Sequence, residues 1–79
     1  MSRGLAIVQD TLVQLGIPAE EITLDAFLFN DLSIDSTELI EVITVIEKQA
    51  DISLDEKQLK SVRTIADLVS FIDSKLLVK

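Results

Sequence analysis

Apolar residues recur at intervals of three and four along three stretches of the chain, the spacing that places side chains on one face of an α-helix. The first stretch predicts a helix over residues 3–15. The second predicts a helix that begins at Asp35 or Ser36, and the third predicts a helix over residues 64–77. The predicted apolar faces, in chain order, consist of Leu5, Val8, Leu12 and Leu15, then Leu39, Val42, Ile43, Ile46 and Ala50, and finally Ile65, Leu68, Val69, Ile72 and Leu76.

The segment between the first two helices, residues 18–34, lacks sustained helical spacing and is predicted to be a long loop. It follows Gly16 and begins with Pro18, two residue types that close helices. A loop of this length is unusual in a small domain and is often functional. We expect one helical turn near residues 25–29, and we expect the apolar loop side chains to pack onto the core, namely Ile22, Leu24, Phe27, Leu28, Phe29 and Leu32.

A short additional helix is predicted over residues 55–62, after the connector 51–54, with Leu59 and Val62 facing inward. No stretch alternates apolar and polar residues in the manner of a β-strand. The expected fold is therefore all-α: a small four-helix bundle of three main helices and one short helix, with the long loop between helices 1 and 2. A chain of 79 residues suffices for one domain, so we assign residues 1–79 to a single domain.

The composition removes most catalytic chemistry. The chain contains neither Cys nor His, so a thiolate nucleophile, a zinc–thiolate site, a disulfide and the commonest general base are all excluded. An enzyme is therefore the least favoured class. No signal peptide is visible and no apolar run approaches transmembrane length. We expect a cytoplasmic protein that does not associate with membranes.

Negative charge is concentrated in the middle of the chain. Eleven of the fourteen acidic residues lie between Glu20 and Glu56, where Lys48 is the single basic residue, and the net charge is −7. Such a surface repels phosphate backbones, so nucleic acid is not an expected partner. It attracts basic protein surfaces. The alternative is that the acidic residues only keep a small apolar domain soluble.

The start of the second helix is the strongest candidate for chemistry. Asp35 suits the N-cap position, and Glu38 three residues later completes a capping-box pattern. Ser36 then lies in the first turn, where unpaired N–H groups and the positive end of the helix dipole would favour a phosphate ester on its hydroxyl. On these residues alone, the alternative that Ser36 is an ordinary cap-region serine stays open.

A metal site at the same position is not expected. Asp31, Ser33 and Asp35 are similar to the beginning of a calcium-binding EF-hand loop. The pattern then fails, because Ser36 replaces the sixth-position glycine and Val42 replaces the twelfth-position glutamate.

Four segments of the chain, taken together in their order and spacing, resemble the motifs of one protein family. They are Asp31-Leu32-Ser33-Ile34-Asp35-Ser36, Ile40-Glu41-Val42-Ile43, Ile52-Ser53-Leu54-Asp55 and Val62-Arg63-Thr64-Ile65-Ala66-Asp67-Leu68. With the length, helix spacing and acidity, they resemble the acyl carrier proteins of the phosphopantetheine-attachment family. An Asp-Ser pair alone is weak evidence, whereas the resemblance of all four segments covers nearly the whole chain.

This resemblance implies a covalent cofactor on Ser36. A separate phosphopantetheinyl transferase would add 4′-phosphopantetheine from coenzyme A, and Asp35 would help to meet the transferase's magnesium. The acyl cargo would be held as a thioester on the thiol of this arm. A chain without Cys would thereby carry thioesters, and the carrier itself would not be an enzyme.

The resemblance also implies partner enzymes with basic docking patches. They are the phosphopantetheinyl transferase and acyl-transferring, ketosynthase-type or adenylating enzymes. Exchange among such partners suits a monomer. Glu47 is expected to be an ordinary solvated helix residue. The predicted docking residues are Asp35, Thr37, Glu38, Ile40, Glu41 and Thr44.

Three residues depart from the family's usual pattern. Thr37 stands in place of leucine, Thr44 in place of methionine and Ser33 in place of glycine. These departures favour a carrier in polyketide or related specialised biosynthesis. Because the chain starts at Met1 and ends soon after the last helix, we expect a discrete protein, with an excised domain as the alternative. The alternatives are a housekeeping fatty-acid carrier, an aminoacyl or peptidyl carrier and, from a different class, an unmodified helical protein-interaction module.

The aliphatic core offers one further possibility, the shelter of an acyl chain between the second helix and its neighbours. Residues of this kind are more often plain core, and that is the favoured interpretation. The candidate lining residues are Phe27, Ile40, Ile43, Ile46 and Leu59.

Overall fold

The computed structural model describes residues 3–77 and contains three α-helices and two short 3-10 helices. Helix α1 spans Arg3–Gln14, α2 spans Ser36–Ala50 and α3 spans Ile65–Leu77. The 3-10 helices span Ala19–Glu21 and Glu56–Ser61. Within residues 3–77 there is no β-strand, which confirms the predicted all-α bundle with its long loop between α1 and α2.

Local capping explains where α2 and α3 begin. The carboxylate of Asp35 accepts a hydrogen bond from the Glu38 N–H at 2.9 Å, as the capping pattern predicted. At α3 the cap is reciprocal: the Asp67 N–H donates to Thr64 Oγ1 at 3.1 Å, and Asp67 Oδ2 accepts from the Thr64 N–H at 3.2 Å. Both helices therefore start within one residue of the predicted position.

The core lies where α1 packs against both α2 and α3. The apolar face predicted for α2 is buried or half-buried, and Val42 and Ile46 are almost completely inaccessible to solvent. The second 3-10 helix contributes Leu59, and the long loop contributes apolar side chains as well. The buried loop residues are Ile22, Ala26, Leu28 and Ile34.

Helix α1 ends one residue earlier than predicted. Its last residue is Gln14, and the chain then turns through Gly16, which has a φ of 99°. A positive φ of this size suits glycine because a Cβ atom would be strained there. Leu15 consequently leaves the apolar face of α1 and is 49% exposed, so its assignment to the core is wrong.

The long loop differs from its prediction in two respects. The helical turn is not at residues 25–29 but at Ala19–Glu21, directly after Pro18, whose φ of −59° suits the start of a helical turn. Three apolar loop side chains are also exposed instead of packed onto the core. They are Leu24, Phe27 and Phe29, with exposed fractions of 51%, 45% and 66%.

Main-chain hydrogen bonds explain how the loop keeps its place without those three side chains. The Leu28 N–H donates to the Arg63 carbonyl at 2.8 Å. The Ile65 N–H donates to the Ala26 carbonyl at 3.0 Å, and the next residue, Ala66, donates to the Leu24 carbonyl at 2.9 Å. The loop is therefore bound to the start of α3 by its backbone, a pairing that hydrophobic spacing does not encode.

Thr11 is a polar defect in the core, and we expect Thr11→Val to stabilise the protein. The side chain is fully buried, and within residues 3–77 its Oγ1 has no hydrogen-bond partner. An unsatisfied buried hydroxyl costs about 1–3 kcal/mol, and valine has nearly the same shape. The free energy of unfolding should rise by about 1 kcal/mol in urea titration.

The matched control for this change is Thr44→Val. Thr44 is exposed, and its Oγ1 donates to the Ile40 carbonyl at 2.9 Å. We expect this second threonine-to-valine change to alter stability by less than about 0.5 kcal/mol. A Thr11→Val variant no more stable than the wild type would contradict the prediction.

Asp67 gives the stability of the α3 start a defined pH dependence. Hydrogen bonds from the backbone N–H groups of Arg63 and Thr64 lower the pKa of Asp67 from its ordinary value of 3.8. Because the folded-state pKa is the lower one, the carboxylate stabilises the fold above pH 3.8, and this contribution is lost as the pH falls through the folded-state pKa.

We therefore expect Asp67→Ala to lower the melting temperature at neutral pH and to lower it less and less as the pH falls below 3.8. Thermal unfolding followed by circular dichroism over this pH range measures the difference from wild type. Asp10→Ala, which removes an exposed carboxylate of α1, is the control. A difference for Asp67→Ala that stayed constant with pH would refute the role of its carboxylate.

Candidate functional site

Ser36 is the first residue of α2, and it is exposed. The capping function belongs to its neighbour: Asp35 has the extended backbone of an N-cap and accepts the hydrogen bond from Glu38. Within residues 3–77 no hydrogen bond of the Ser36 hydroxyl is present. The structure therefore does not need this hydroxyl as a cap, and Ser36 Oγ is accessible for chemistry.

The position also favours a negatively charged ester on Ser36. The first-turn N–H groups of a helix lack helical acceptors, and the helix dipole places partial positive charge there. A phosphate group attached at this point would lie close to those N–H groups. Ser36 is exposed at the edge of the apolar face of α2, one turn before the half-buried Leu39.

The loop immediately before the site is rigidly placed. Ile34 is buried, and its N–H donates to the Leu28 carbonyl at 2.8 Å. Ser33 has a φ of 58°, in the left-handed region, and its N–H donates to the Phe29 carbonyl at 3.0 Å. The left-handed backbone gives a physical reason for the glycine that the family resemblance puts at position 33, because glycine adopts it without steric cost.

Two clefts meet at Ser36. The larger cleft, about 520 Å³, lies between the loop residues 27–30, the start of α2 and residues 59–63. The smaller cleft, about 350 Å³, lies between α2 and the second 3-10 helix. Residues that line both clefts are Ser36, Leu39, Leu59 and Lys60.

The residues predicted to dock partners are all exposed and lie within the first nine residues of α2 or at its cap. They are Asp35, Thr37, Glu38, Ile40, Glu41 and Thr44. Glu47 behaves differently from a solvated helix residue. It is half-buried, and its Oε2 accepts a hydrogen bond from the Leu54 N–H at 2.9 Å, which fixes the connector after α2.

The residues proposed to shelter an acyl chain separate into two groups. Phe27 lines the larger cleft, Ile40 lines the smaller one, and Leu59 lines both. Ile43 and Ile46 are buried in the core, with exposed fractions of 3% and 0%, and line neither of these two clefts.

Sequence reasoning missed the basic side of the site. Lys57, Lys60 and Arg63 line one or both clefts opposite α2. The available signal was the spacing of Lys57 and Lys60, since a 3-10 helix has three residues per turn and aligns residues three apart, whereas Arg63 lies two residues beyond that helix. The acidic residues between Glu20 and Glu56 dominate the charge pattern of the sequence, and these three basic residues lie just beyond that segment.

No metal-binding cluster of three or more acidic, His or Cys side chains occurs among residues 3–77. In the same part of the chain, no helix is both long and apolar enough to cross a membrane.

Comparison with known proteins identifies the class to which this site belongs. The family described as "Phosphopantetheine attachment site" matches residues 6–72. An acyl carrier protein of Coprothermobacter proteolyticus is 33% identical over 92% of this chain and 85% of its own length. An acyl carrier protein of Amoebophilus asiaticus is 34% identical over 91% of both chains.

A third relative, an acyl carrier protein of Cyanophora paradoxa, is 38% identical over 82% of this chain. Here the alignment spans only 64% of the relative, slightly less than two thirds of its length.

This chain belongs to the phosphopantetheine-attachment family of acyl carrier proteins. Members are non-catalytic carriers with a covalent 4′-phosphopantetheine group that interact with phosphopantetheinyl transferases and biosynthetic enzymes. The predictions of a carrier, of this cofactor and of a protein that is not an enzyme are thereby confirmed.

Proposed function

We propose that this chain holds acyl intermediates as thioesters on a 4′-phosphopantetheine arm attached to Ser36 Oγ and presents them to partner enzymes. The observation that supports attachment at Ser36 is that a different residue, Asp35, caps α2. Asp35 caps the helix through Oδ1, while the Ser36 hydroxyl is exposed and serves no cap. We assign residues 1–79 to one such carrier domain, acting as a cytoplasmic monomer.

In the attachment step Ser36 supplies the nucleophile. Its Oγ forms a bond to the pantetheine-side phosphorus of coenzyme A, the pyrophosphate P–O bond breaks, and the nucleotide bisphosphate leaves. The hydroxyl proton passes to a base of the transferase. Because Asp35 Oδ1 accepts the capping hydrogen bond from the Glu38 N–H, Oδ2 is the oxygen proposed to contact the transferase's magnesium ion. The attached group supplies the thiol that bears the cargo.

The acidic surface around Ser36 is proposed as the docking site for basic patches on partner enzymes. Glu38 and Glu41 are exposed and lie within two turns of Ser36. Exposed charge pairs accelerate encounter and contribute little binding energy each, which suits a carrier that must dissociate after each transfer. Asp35, Thr37, Ile40 and Thr44 complete this proposed surface.

For the pathway, we propose polyketide or related specialised biosynthesis. Support comes from Thr37 and Thr44, exposed residues of the docking surface that replace the leucine and methionine usual in the family. Housekeeping fatty-acid synthesis and aminoacyl or peptidyl transfer are the competing roles. They share the arm and differ in the cargo that partner enzymes load.

The proposed function is tested by incubating the protein with coenzyme A, magnesium and a broad-specificity phosphopantetheinyl transferase, followed by intact-mass measurement. We expect addition of a single phosphopantetheine, located at Ser36 by peptide mapping. The loaded protein is then offered to polyketide, fatty-acid and amino-acid loading enzymes in parallel, and the mass reports which cargo is accepted. A folded protein that gains no arm would refute the carrier role.

A further inference from the structure

The wall of the two clefts that faces α2 carries positive charge in an otherwise acidic protein. Lys57 and Lys60 belong to the second 3-10 helix, and Arg63 follows two residues after its end. Residues three apart eclipse one another in a 3-10 helix, so Lys57 and Lys60 share one side and Arg63 continues the same spacing. We call these three residues the basic ridge.

The basic ridge shares its clefts with Ser36. Lys60 and Ser36 line both clefts, Arg63 lines the larger cleft and Lys57 lines the smaller one. Each cleft holds one carboxylate among its lining residues, Asp35 in the larger and Glu56 in the smaller, against two basic side chains. The charge facing Ser36 from this side is therefore net positive in both clefts.

The larger cleft has a preformed backbone on the side of the ridge. The Arg63 carbonyl accepts from the Leu28 N–H at 2.8 Å, and the Arg63 N–H donates to Asp67 Oδ2 at 3.1 Å. The Val62 N–H donates to the Leu59 carbonyl at 3.1 Å. Because the chain is fixed on both sides of Val62, only side-chain motion is needed to bring the Lys60 and Arg63 head groups to an anion.

We infer that Lys60, assisted by Arg63, binds the phosphodiester of the arm attached to Ser36 and lays the arm into the larger cleft. This inference rests on the proposed function, since it requires attachment at Ser36. Attachment places one negative phosphodiester directly on Ser36 Oγ, at the point where both clefts meet. The phosphodiester is negative and the basic ridge is positive, so the phosphodiester is the group that the ridge is suited to bind.

The lining of the larger cleft also matches the remainder of the arm. A pantetheine chain alternates short apolar segments with amide groups. Phe27, Leu39 and Val62 offer apolar surface, and Asn30 offers a donor and an acceptor for an amide. Glu38 and Glu41 line neither cleft, so an arm that lies in the larger cleft leaves these two docking carboxylates uncovered.

The basic ridge binds the arm weakly enough for a partner enzyme to release it. Exposed pairs of opposite charge contribute little, and salt screens them. Replacing one cation of the ridge is therefore expected to reduce the ratio of docked to free arm about two- to fivefold. An effect of this size is measurable by NMR and is compatible with a carrier whose arm leaves the cleft quickly when a partner enzyme binds.

The test compares apo and loaded protein by ¹⁵N NMR, with ³¹P NMR of the phosphodiester. For the wild type we expect loading to shift amide signals of residues 27–30 and 59–63, in addition to those next to Ser36. In Lys60→Gln and in the Lys60→Gln/Arg63→Gln double variant, the shifts at 27–30 and 59–63 should shrink, and most in the double variant. The matched control Lys48→Gln removes a lysine that lines neither of the two clefts and should retain the wild-type shifts.

Intact mass is recorded for every sample, so that a failure of the proposed function can be distinguished from a failure of the inference about the arm. Wild-type protein that never gains the arm overturns the proposed function. Loaded wild type without shifts at residues 59–63 overturns the inference alone, as does a loaded double variant whose shifts equal those of wild type. High salt provides an independent check, because at about 1 M the Debye length is about 3 Å and the wild type should then resemble the double variant.

Discussion

Ser36→Ala is expected to abolish attachment of the 4′-phosphopantetheine arm while the protein remains folded. Alanine has no nucleophilic oxygen, so no phosphodiester can form at this position. The fold should survive because Asp35, not Ser36, caps α2, and alanine is the best residue for a helical turn. Intact mass after incubation with the transferase measures loading, and circular dichroism verifies the helices.

The matched control is Ser33→Gly, which removes another exposed hydroxyl three residues away. Glycine suits the φ of 58° at this position, so the variant should fold at least as well as the wild type. We expect it to accept one arm. An arm on the Ser36→Ala protein, or failure of Ser33→Gly to load, would contradict the assignment of Ser36 as the attachment residue.

The largest expected effect on stability comes from Leu68→Ala. Leu68 is completely buried in α3, in the core that joins α3 to α1 and α2. Truncating a buried leucine removes transfer free energy and leaves a cavity, at a cost of about 2–5 kcal/mol. A domain of 79 residues has a total stability of about 4–12 kcal/mol, so the loss is a large fraction of it.

Urea unfolding followed by circular dichroism measures this loss. Leu77→Ala is the matched control because it makes the same chemical change in the same helix, at a residue that is 87% exposed. We expect that control to alter the free energy of unfolding by less than about 0.5 kcal/mol. Equal effects of the two substitutions would show that Leu68 is not a core residue of the kind described.

The starts of α2 and α3 could be predicted from the sequence because their determinants are local, whereas the proposed role of Ser36 as the attachment residue came from the family resemblance. The cap of α2 depends on Asp35 and Glu38, three residues apart, and the cap of α3 depends on Thr64 and Asp67, also three apart. The buried faces follow the helical period directly. The start of α2 therefore fixes the position of Ser36 by short-range rules alone.

The loop residues that sequence reasoning placed wrongly depend on partners distant in the chain. The loop is fixed by hydrogen bonds between backbone atoms of residues 24–28 and 63–66, and backbone atoms are the same in every residue. Their pairing therefore has no side-chain pattern from which to predict it. Without that information, apolar residues such as Phe27 and Phe29 were assigned to the core although they are exposed.

The backbone pairing of the loop has a consequence for how such a carrier can diversify. Because main-chain groups hold the loop against the start of α3, replacing Leu24, Phe27 or Phe29 leaves its anchorage intact. Of these exposed side chains, Phe27 and Phe29 line the larger cleft beside Ser36. Substitutions at Phe27 and Phe29 can therefore change the surface beside the proposed attachment residue with little effect on folding, and evolution could adapt such a carrier to new partner enzymes in this way.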